Sequence, residues 1–200
     1  MWLVACLIGG VLFAEVYGYW LHRLMHSDAI AFMSRNHMIH HLKIYGPRMK
    51  QRPEVGYRFA VSGRVSLGGI GTEWLVPIGV TIVAILLGFR VAGGTWAQAG
   101  VFLGAALLYS YFLFWLLHNA MHQQETWLVR RRWLARWFLG ARRRHDIHHV
   151  RLNAEGRLYA NFGIGFAWMD HVFGTAYGQA TRVEDAALER AHDRYREVVN

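Results

Sequence analysis

Histidines carry the clearest chemical signal in this chain, because ten of the twelve lie in four short clusters. Two clusters, HRLMH (22–26) and HNAMH (118–122), have the spacing H-x-x-x-H. Two others, HMIHH (37–41) and HDIHH (145–149), have the spacing H-x-x-H-H. Helix positions three and four apart share a face, so each cluster is predicted to present its imidazoles on one side of a helix. The ten residues are His22, His26, His37, His40, His41, His118, His122, His145, His148 and His149.

Metal binding is the chemistry that this pattern favours. Imidazoles cannot satisfy one another, whereas a metal ion satisfies several at once. Ten imidazoles exceed what one ion can accept, so two ions are predicted, and imidazole suits iron, zinc, copper and nickel alike. The single cysteine, Cys6, excludes a disulfide framework and a site built from several thiolates.

Three apolar stretches would position these clusters, at residues 2–21, 74–91 and 96–117. The chain is 54% hydrophobic, and a membrane-spanning helix needs about 20 apolar residues. The second stretch is marginal in length, but Thr72, Glu73 and Pro77 favour a helix start, and residues 90–95 favour a tight reversal. We therefore predict one all-α domain, 1–200. It is a polytopic membrane bundle of about three spanning helices, with a helical cap that carries the histidines.

The distribution of basic residues predicts the orientation of this bundle. All of the 22 lysines and arginines except Arg90 lie in segments 23–72 and 123–200, which three spans place on one side. Basic residues favour the cytoplasmic side, so we expect a multi-pass membrane protein with cytoplasmic histidine clusters. The same pattern argues against nucleic-acid binding. Within the basic segment 127–144, apolar Trp127, Leu134, Phe138 and Ala141 recur at helical spacing, which predicts a helix lying on anionic headgroups of membrane lipids.

The chain also contains an internal near-repeat. Each half reads as a spanning helix that ends in H-x-x-x-H, a connection, and a helix that carries H-x-x-H-H. Small residues four apart, at 10, 14 and 18 and at 100 and 104, predict close helix packing. The tail, at about 182–198, is predicted to be an amphipathic helix with a capping box at Thr181.

The ordered clusters HRLMH, HMIHH, HNAMH and HDIHH, followed by NFG (161–163) and DHVFGT (170–175), resemble the fatty acid hydroxylase/sterol desaturase superfamily. Its members are integral-membrane histidine-box di-iron oxygenases, and the resemblance runs from about residue 15 to 175. It implies two iron ions bound by the ten histidines, dioxygen as co-substrate, and hydroxylation or desaturation of a lipid such as a fatty acyl chain. Zinc could replace iron, because nitrogen ligands bind it more tightly.

No flavin, nicotinamide, haem-attachment or iron–sulfur motif occurs, so a monooxygenase of this kind would need a separate electron-transfer protein. A b-type cytochrome or a ferredoxin-like carrier would serve, and the net charge of +9 favours an acidic partner. The lipid substrate would arrive from the bilayer. Alternatives are carotenoid hydroxylation, sterol methyl oxidation, or a metal-binding or metal-transporting protein without enzyme activity.

Three further residues are candidates for the site. His171 follows Asp170, which could orient its ring as a carboxylate next to a metal-bound histidine does. Glu15 is the acidic residue within the predicted spans and shares a helix face with His22. We expect Glu15 to bond a polar group on the third span, with Tyr111 as the first choice, and to shape a substrate channel.

Overall fold

The computed structural model describes residues 2–52 and 75–199, and every regular element in these two ranges is a helix. One isolated β-bridge, between Leu152 and Leu158, is the extended pairing found there. The predicted all-helical class is therefore confirmed. In chain order the helices are α1 (Trp2–Met25), α2 (Ala31–Met38), a π-helical turn (Ile39–Ile44), α3 (Leu75–Val91), α4 (Trp96–Tyr111), a second π-helical turn (Phe112–Leu117), α5 (His118–Met121), a 3-10 turn (Trp127–Val129), α6 (Arg132–Val150), α7 (Trp168–Val172), α8 (Asp185–Arg194) and α9 (Arg196–Val199).

Two helical segments are long and apolar enough to cross a membrane. They are α1 and the continuous helix Trp96–Met121, of 24 and 26 residues. The second predicted span, 74–91, corresponds to α3, which is apolar but has 17 residues and buries none of them. The first and third predicted spans are thus supported by length and composition, and the second is not. The predicted cap of this span, Thr72 and Glu73, lies outside the described residues.

Among the described helices, α1 and α4 make the most extensive contact, and they run parallel. A Cβ added to Gly10 would collide with the carbonyl oxygen of Phe102, and one added to Gly18 would lie 2.6 Å from the ring of Phe114. Residues later in α1 therefore contact residues later in the continuous helix Trp96–Met121. The predicted small-residue contact is confirmed at Gly10, Ala14 and Gly18, because Ala14 is also buried. It is wrong for Gly100 and Gly104, where an added Cβ would meet no atom within 4 Å among the described residues.

Replacing Gly10 with alanine should lower the thermal stability of the purified protein in detergent. The added methyl group meets backbone atoms, which cannot rotate away, and such overpacking costs about 1–3 kcal/mol. Gly104→Ala is the matched control, since it adds the same atom to open space and removes the same helix-weakening glycine. Equal melting temperatures for the two variants would contradict the close approach of α1 and α4.

A tight reversal joins α3 to α4, as predicted. Gly93 adopts a left-handed backbone with φ +73°, and the N–H of Gly94 donates to the Phe89 carbonyl at 2.7 Å. Thr95 then caps α4, because its side chain accepts from the Gln98 N–H while the Gln98 side chain accepts from the Thr95 N–H. Backbone groups at the end of α3 and at the start of α4 thus find hydrogen-bond partners within a few residues. The short connection places the two apolar helices side by side.

Helix α6 carries the fourth cluster and packs against the end of the Trp96–Met121 segment. Phe138 and Ala141 are buried in a core with Leu117 and Met121, and Leu134 packs against it. The predicted apolar stripe is correct for these residues and wrong for Trp127. Thr126 caps a separate 3-10 turn and Arg131 is extended, so Trp127 lies outside the helix and is 61% exposed.

The C-terminal helix begins at Asp185, and the predicted capping box at Thr181 is wrong. Glu184 occupies the cap position without a side-chain hydrogen bond. The predicted apolar face is correct in its described part, since Leu188, Ala191 and Tyr195 are buried against α2 and its π-helical turn. The side chain of Val198 lies outside the described part of the chain.

Candidate metal centre

The ten clustered histidines assemble into two groups of five. In each group, one nitrogen per ring can be chosen so that all five lie within 4.8 Å of one another. We call them group 1 and group 2. Group 1 consists of His22, His26, His37, His41 and His148, and group 2 consists of His40, His118, His122, His145 and His149.

Each half of the chain contributes one histidine to the group that is formed mainly by the other half. The second cluster gives His37 and His41 to group 1 but His40 to group 2, and the fourth cluster gives His148 to group 1. The expectation that each cluster points in one direction is therefore wrong for the two H-x-x-H-H clusters, whereas each H-x-x-x-H cluster stays within one group. At about 100° per residue, positions i, i+3 and i+4 fan over about 100° of the helix circumference. This fan is wide enough to face two neighbouring sites.

The groups are adjacent, and their rings contact one another. The ring centroids of His41 in group 1 and His149 in group 2 lie 4.1 Å apart. This distance is shorter than the 4.9 Å between the centroids of His26 and His148, which both belong to group 1. Nine of the ten side chains are buried, and His118 is half-buried. In group 2, His118 is thus the ring that is partly exposed, and it lies near the end of the second membrane-length helix.

Inside each group several Nε2 atoms lie close together, and the rings carry too few Nε2–H groups to form a hydrogen bond at every such contact. The Nε2 atom of His37 lies 3.0 Å from that of His26 and 3.1 Å from that of His41. In group 2, the Nε2 atom of His145 lies 2.9 Å from that of His122 and 3.1 Å from that of His149. One Nε2–H can donate to only one of two such neighbours at a time, so lone pairs point at each other.

Backbone carbonyls fix the orientation of four rings. In group 1, the Nδ1–H groups of His22 and His148 donate to the carbonyls of Phe162 and Ala160, at 2.7 and 2.6 Å. In group 2, those of His122 and His149 donate to the carbonyls of Gln51 and Tyr45, at 3.0 Å each. A neutral ring that carries its proton on Nδ1 presents a lone pair at Nε2.

These observations fit a cation in each group. The Nε2 atom of His148 is buried and has no hydrogen-bond partner among the described residues, and its lone pair faces group 1. Outer hydrogen bonds from Nδ1 to carbonyls are the usual way in which proteins orient histidine ligands. A positive ion would be attracted by the converging lone pairs, which otherwise repel one another.

Burial also keeps the imidazoles in the form that binds metals. It lowers the pKa of His26, His37 and His41 well below the usual value, and repulsion between neighbouring imidazolium charges lowers it further. In group 2, burial lowers the pKa of His122 to about 4, partly offset by the hydrogen bond to Gln51. The same direction holds for His40, His145, His148 and His149. A neutral imidazole ring can bind a metal ion without first losing a proton.

The three additional candidates lie outside both groups. His171 is exposed on α7, and the buried carboxylate of Asp170 accepts bonds from the loop at 162–163 rather than from His171. Glu15 does bond a tyrosine on the other long helix, but the partner is Tyr109 at 2.6 Å. The expected partner Tyr111 is 55% exposed. Tyr109 lies four residues before buried Leu113 and shares its face, whereas Tyr111 lies on the opposite face.

Sequence reasoning missed the atoms outside the histidine clusters that orient the imidazole rings. The four carbonyls that accept from Nδ1 belong to the backbone and leave no side-chain signature, although the NFG motif did mark Phe162. Tyr45 was also missed. Its ring stacks on His122 with centroids 3.8 Å apart, while its carbonyl accepts from His149. The only sequence signal for Tyr45 is its position four residues after His41.

Comparison with known families gives one result. The sequence model of a family described as fatty acid hydroxylase matches residues 7–175, a range that includes all four histidine clusters and both long helices. No curated protein matches the chain significantly, and no solved structure does.

Proposed function

Because the chain belongs to the fatty acid hydroxylase family, we propose that it is a membrane oxidoreductase that hydroxylates a C–H bond of a lipid, such as a fatty acyl chain. It would use dioxygen and electrons from outside. The observation that carries this proposal is the pair of adjacent five-histidine groups. Two iron ions, one in each group, would supply the reductive activation of dioxygen that attack on an unactivated C–H bond requires.

The residues of the chain contribute orientation and exclusion of water. Carbonyls at 160 and 162 orient rings in group 1, and carbonyls at 45 and 51 orient rings in group 2. The ring of Phe162 lies 5.6 Å from that of His26 and 5.5 Å from that of His148, and it covers group 1 with apolar surface. Such a wall suits an apolar substrate and protects a reactive centre from water.

The bilayer is the source of substrate that this arrangement favours. Trp115 and Leu116 are exposed on the membrane-length helix immediately before half-buried His118. A lipid chain in contact with these residues would meet group 2 first. We further propose a multi-pass topology with the histidine groups on the cytoplasmic side, on the distribution of lysine and arginine.

Hydroxylation consumes one dioxygen, two electrons and two protons for each alcohol and water formed. The chain has no motif for a flavin, nicotinamide, haem or iron–sulfur group, so we propose a separate electron-transfer protein, a b-type cytochrome or a ferredoxin-like carrier. The net charge of +9 favours an acidic carrier. Desaturation would use the same centre, with a second hydrogen removed instead of oxygen inserted.

Lipid analysis of cells that express the chain tests this function. We expect a lipid that gains one oxygen, or loses two hydrogens, in cells with the wild-type chain. A variant with His37 and His41 replaced by alanine should make none of it while reaching the membrane in equal amount. Metal uptake measured in the same cells separates the alternatives. Altered metal transport with an unchanged lipid profile would support the transport alternative and overturn the proposed oxidation.

A further inference from the structure

A single short loop serves group 1. Residues 160–163 supply both carbonyls that accept from its rings, that of Ala160 for His148 and that of Phe162 for His22. The two bonds are short, at 2.6 and 2.7 Å, so small movements of this loop would reorient two of the five rings. The position of the loop therefore sets the orientation of two of the rings of group 1.

The side chain of Asp170 accepts hydrogen bonds from the backbone of this loop. Its side chain is fully buried, and Oδ1 accepts the Phe162 N–H at 2.7 Å while Oδ2 accepts the Gly163 N–H at 2.9 Å. The Thr175 hydroxyl also donates to Oδ1, at 2.8 Å. A carboxylate can accept all three bonds at once because it carries no proton of its own.

The same network ties the loop to α1, the helix that carries His22. The hydroxyl of Thr175 lies 3.0 Å from that of Tyr19, which is three residues before His22. The N–H of Asn161 donates to the Thr175 carbonyl at 2.8 Å. Asn161 adopts a left-handed backbone with φ +54°, and its side chain bonds the backbone of Arg144 and Tyr177.

We propose that Asp170 is a positioning residue for group 1: it sets the carbonyls of Ala160 and Phe162 against His148 and His22, and so raises the metal affinity of that group alone. The inference rests on the proposed function, in which group 1 holds one of two ions. Among the described residues, the side chain of Asp170 is hydrogen-bonded to Phe162, Gly163 and Thr175 and not to a ring of either group, so its effect is transmitted through the backbone of the loop.

Group 2 offers an internal control, because a different aspartate lies beside it. Asp146 makes a two-point salt bridge with Arg52, at 2.7 and 3.1 Å, and the neighbouring carbonyl of Gln51 accepts from His122. Asp146 is part-exposed and Asp170 is buried. The change from aspartate to asparagine is the same at both positions, so any general effect of losing a carboxylate cancels.

The experiment measures cobalt affinity in full-length protein purified in detergent. Group 1 is studied alone after His145 and His149 are both replaced by alanine, and group 2 alone after His37 and His41 are replaced. We expect Asp170→Asn to weaken cobalt binding to group 1 by about 10- to 100-fold, the usual effect of losing an outer partner, and to change its visible absorption. Binding to group 2 should stay within about twofold. Asp146→Asn should leave group 1 unchanged.

A graded series tests the path through Thr175. Thr175→Val removes the hydroxyl and should weaken group 1 in the same direction as Asp170→Asn, whereas Thr175→Ser keeps the hydroxyl and should restore wild-type affinity. Unchanged affinity of group 1 in Asp170→Asn would overturn the inference, and so would equal weakening of both groups. Absence of cobalt binding in the wild-type chain would instead overturn the proposed function, so the two failures are distinguishable.

Discussion

Replacing His37 and His41 together with alanine should reduce the number of bound metal ions from two to one and abolish turnover. Both rings belong to group 1, and their Nε2 atoms lie 3.1 Å apart. Three histidines would remain there, and the positions of two converging nitrogens would be empty. Elemental analysis of the purified variant gives the ion count, and lipid products give the turnover.

A third substitution in this variant tests the exchange between the halves. His148→Ala should leave the remaining ion bound with affinity within about twofold, because His148 belongs to the group already lost. His40→Ala should weaken the remaining ion by more than about 100-fold, since even outer partners of a metal are worth 10- to 100-fold. If each half bound its own ion, the two results would be reversed.

Acidification should destabilise the metal-free protein steeply below pH about 6.5. Burial lowers the pKa of the buried cluster histidines, His26, His37 and His41 among them, and to about 4 for His122. The unfolded chain, with an ordinary pKa of about 6.5, then binds more protons than the folded chain between these values. The free energy of unfolding therefore falls as pH falls through this window, by about 1.4 kcal/mol per pH unit for each such histidine.

Thermal unfolding of the metal-free protein at several pH values between about 5 and 8 measures this dependence. His122→Ala should make the dependence shallower, because it removes one buried ring. His171→Ala is the matched control and should leave the slope unchanged, since His171 is exposed. A melting temperature that is constant across the range would show that the rings are not held neutral. Bound metal should raise the melting temperature throughout this range, because the buried rings are already neutral and need lose no proton to bind it.

The sequence was sufficient to predict which histidines come together, because four spaced clusters, with an apolar hairpin between the halves, leave few other arrangements. It was not sufficient to predict how the ten histidines divide between group 1 and group 2. The i, i+3, i+4 spacing places His40 and His41 on one side of the helix, but their directions differ by about 100°. Only the second set of rings, brought from the other half of the chain, decides which direction each one takes.

The π-helical turns are a second feature that spacing alone could not predict. In a continuous α-helix Tyr111, Trp115, His118 and His122 would share one face. The turn at Phe112–Leu117 holds more residues than an α-helical turn, so it rotates His118 and His122 relative to Tyr111. Tyr111 and Trp115 are consequently exposed while the histidines face group 2, and Tyr109 takes the place expected for Tyr111 beside Glu15. The channel role of Glu15 stays a prediction.

The exchanged histidines would also determine when, during biosynthesis, the two proposed metal sites can be completed. After the first half has left the ribosome, four rings of group 1 are present, but His148 is not yet made. Group 2 has only His40 at that stage. Both sites are completed by the same short stretch, residues 145–149, so neither can fill in final form until that stretch has been translated. On the proposed function, a chain released before residue 145 would carry neither finished metal site, so it could not activate dioxygen in the membrane.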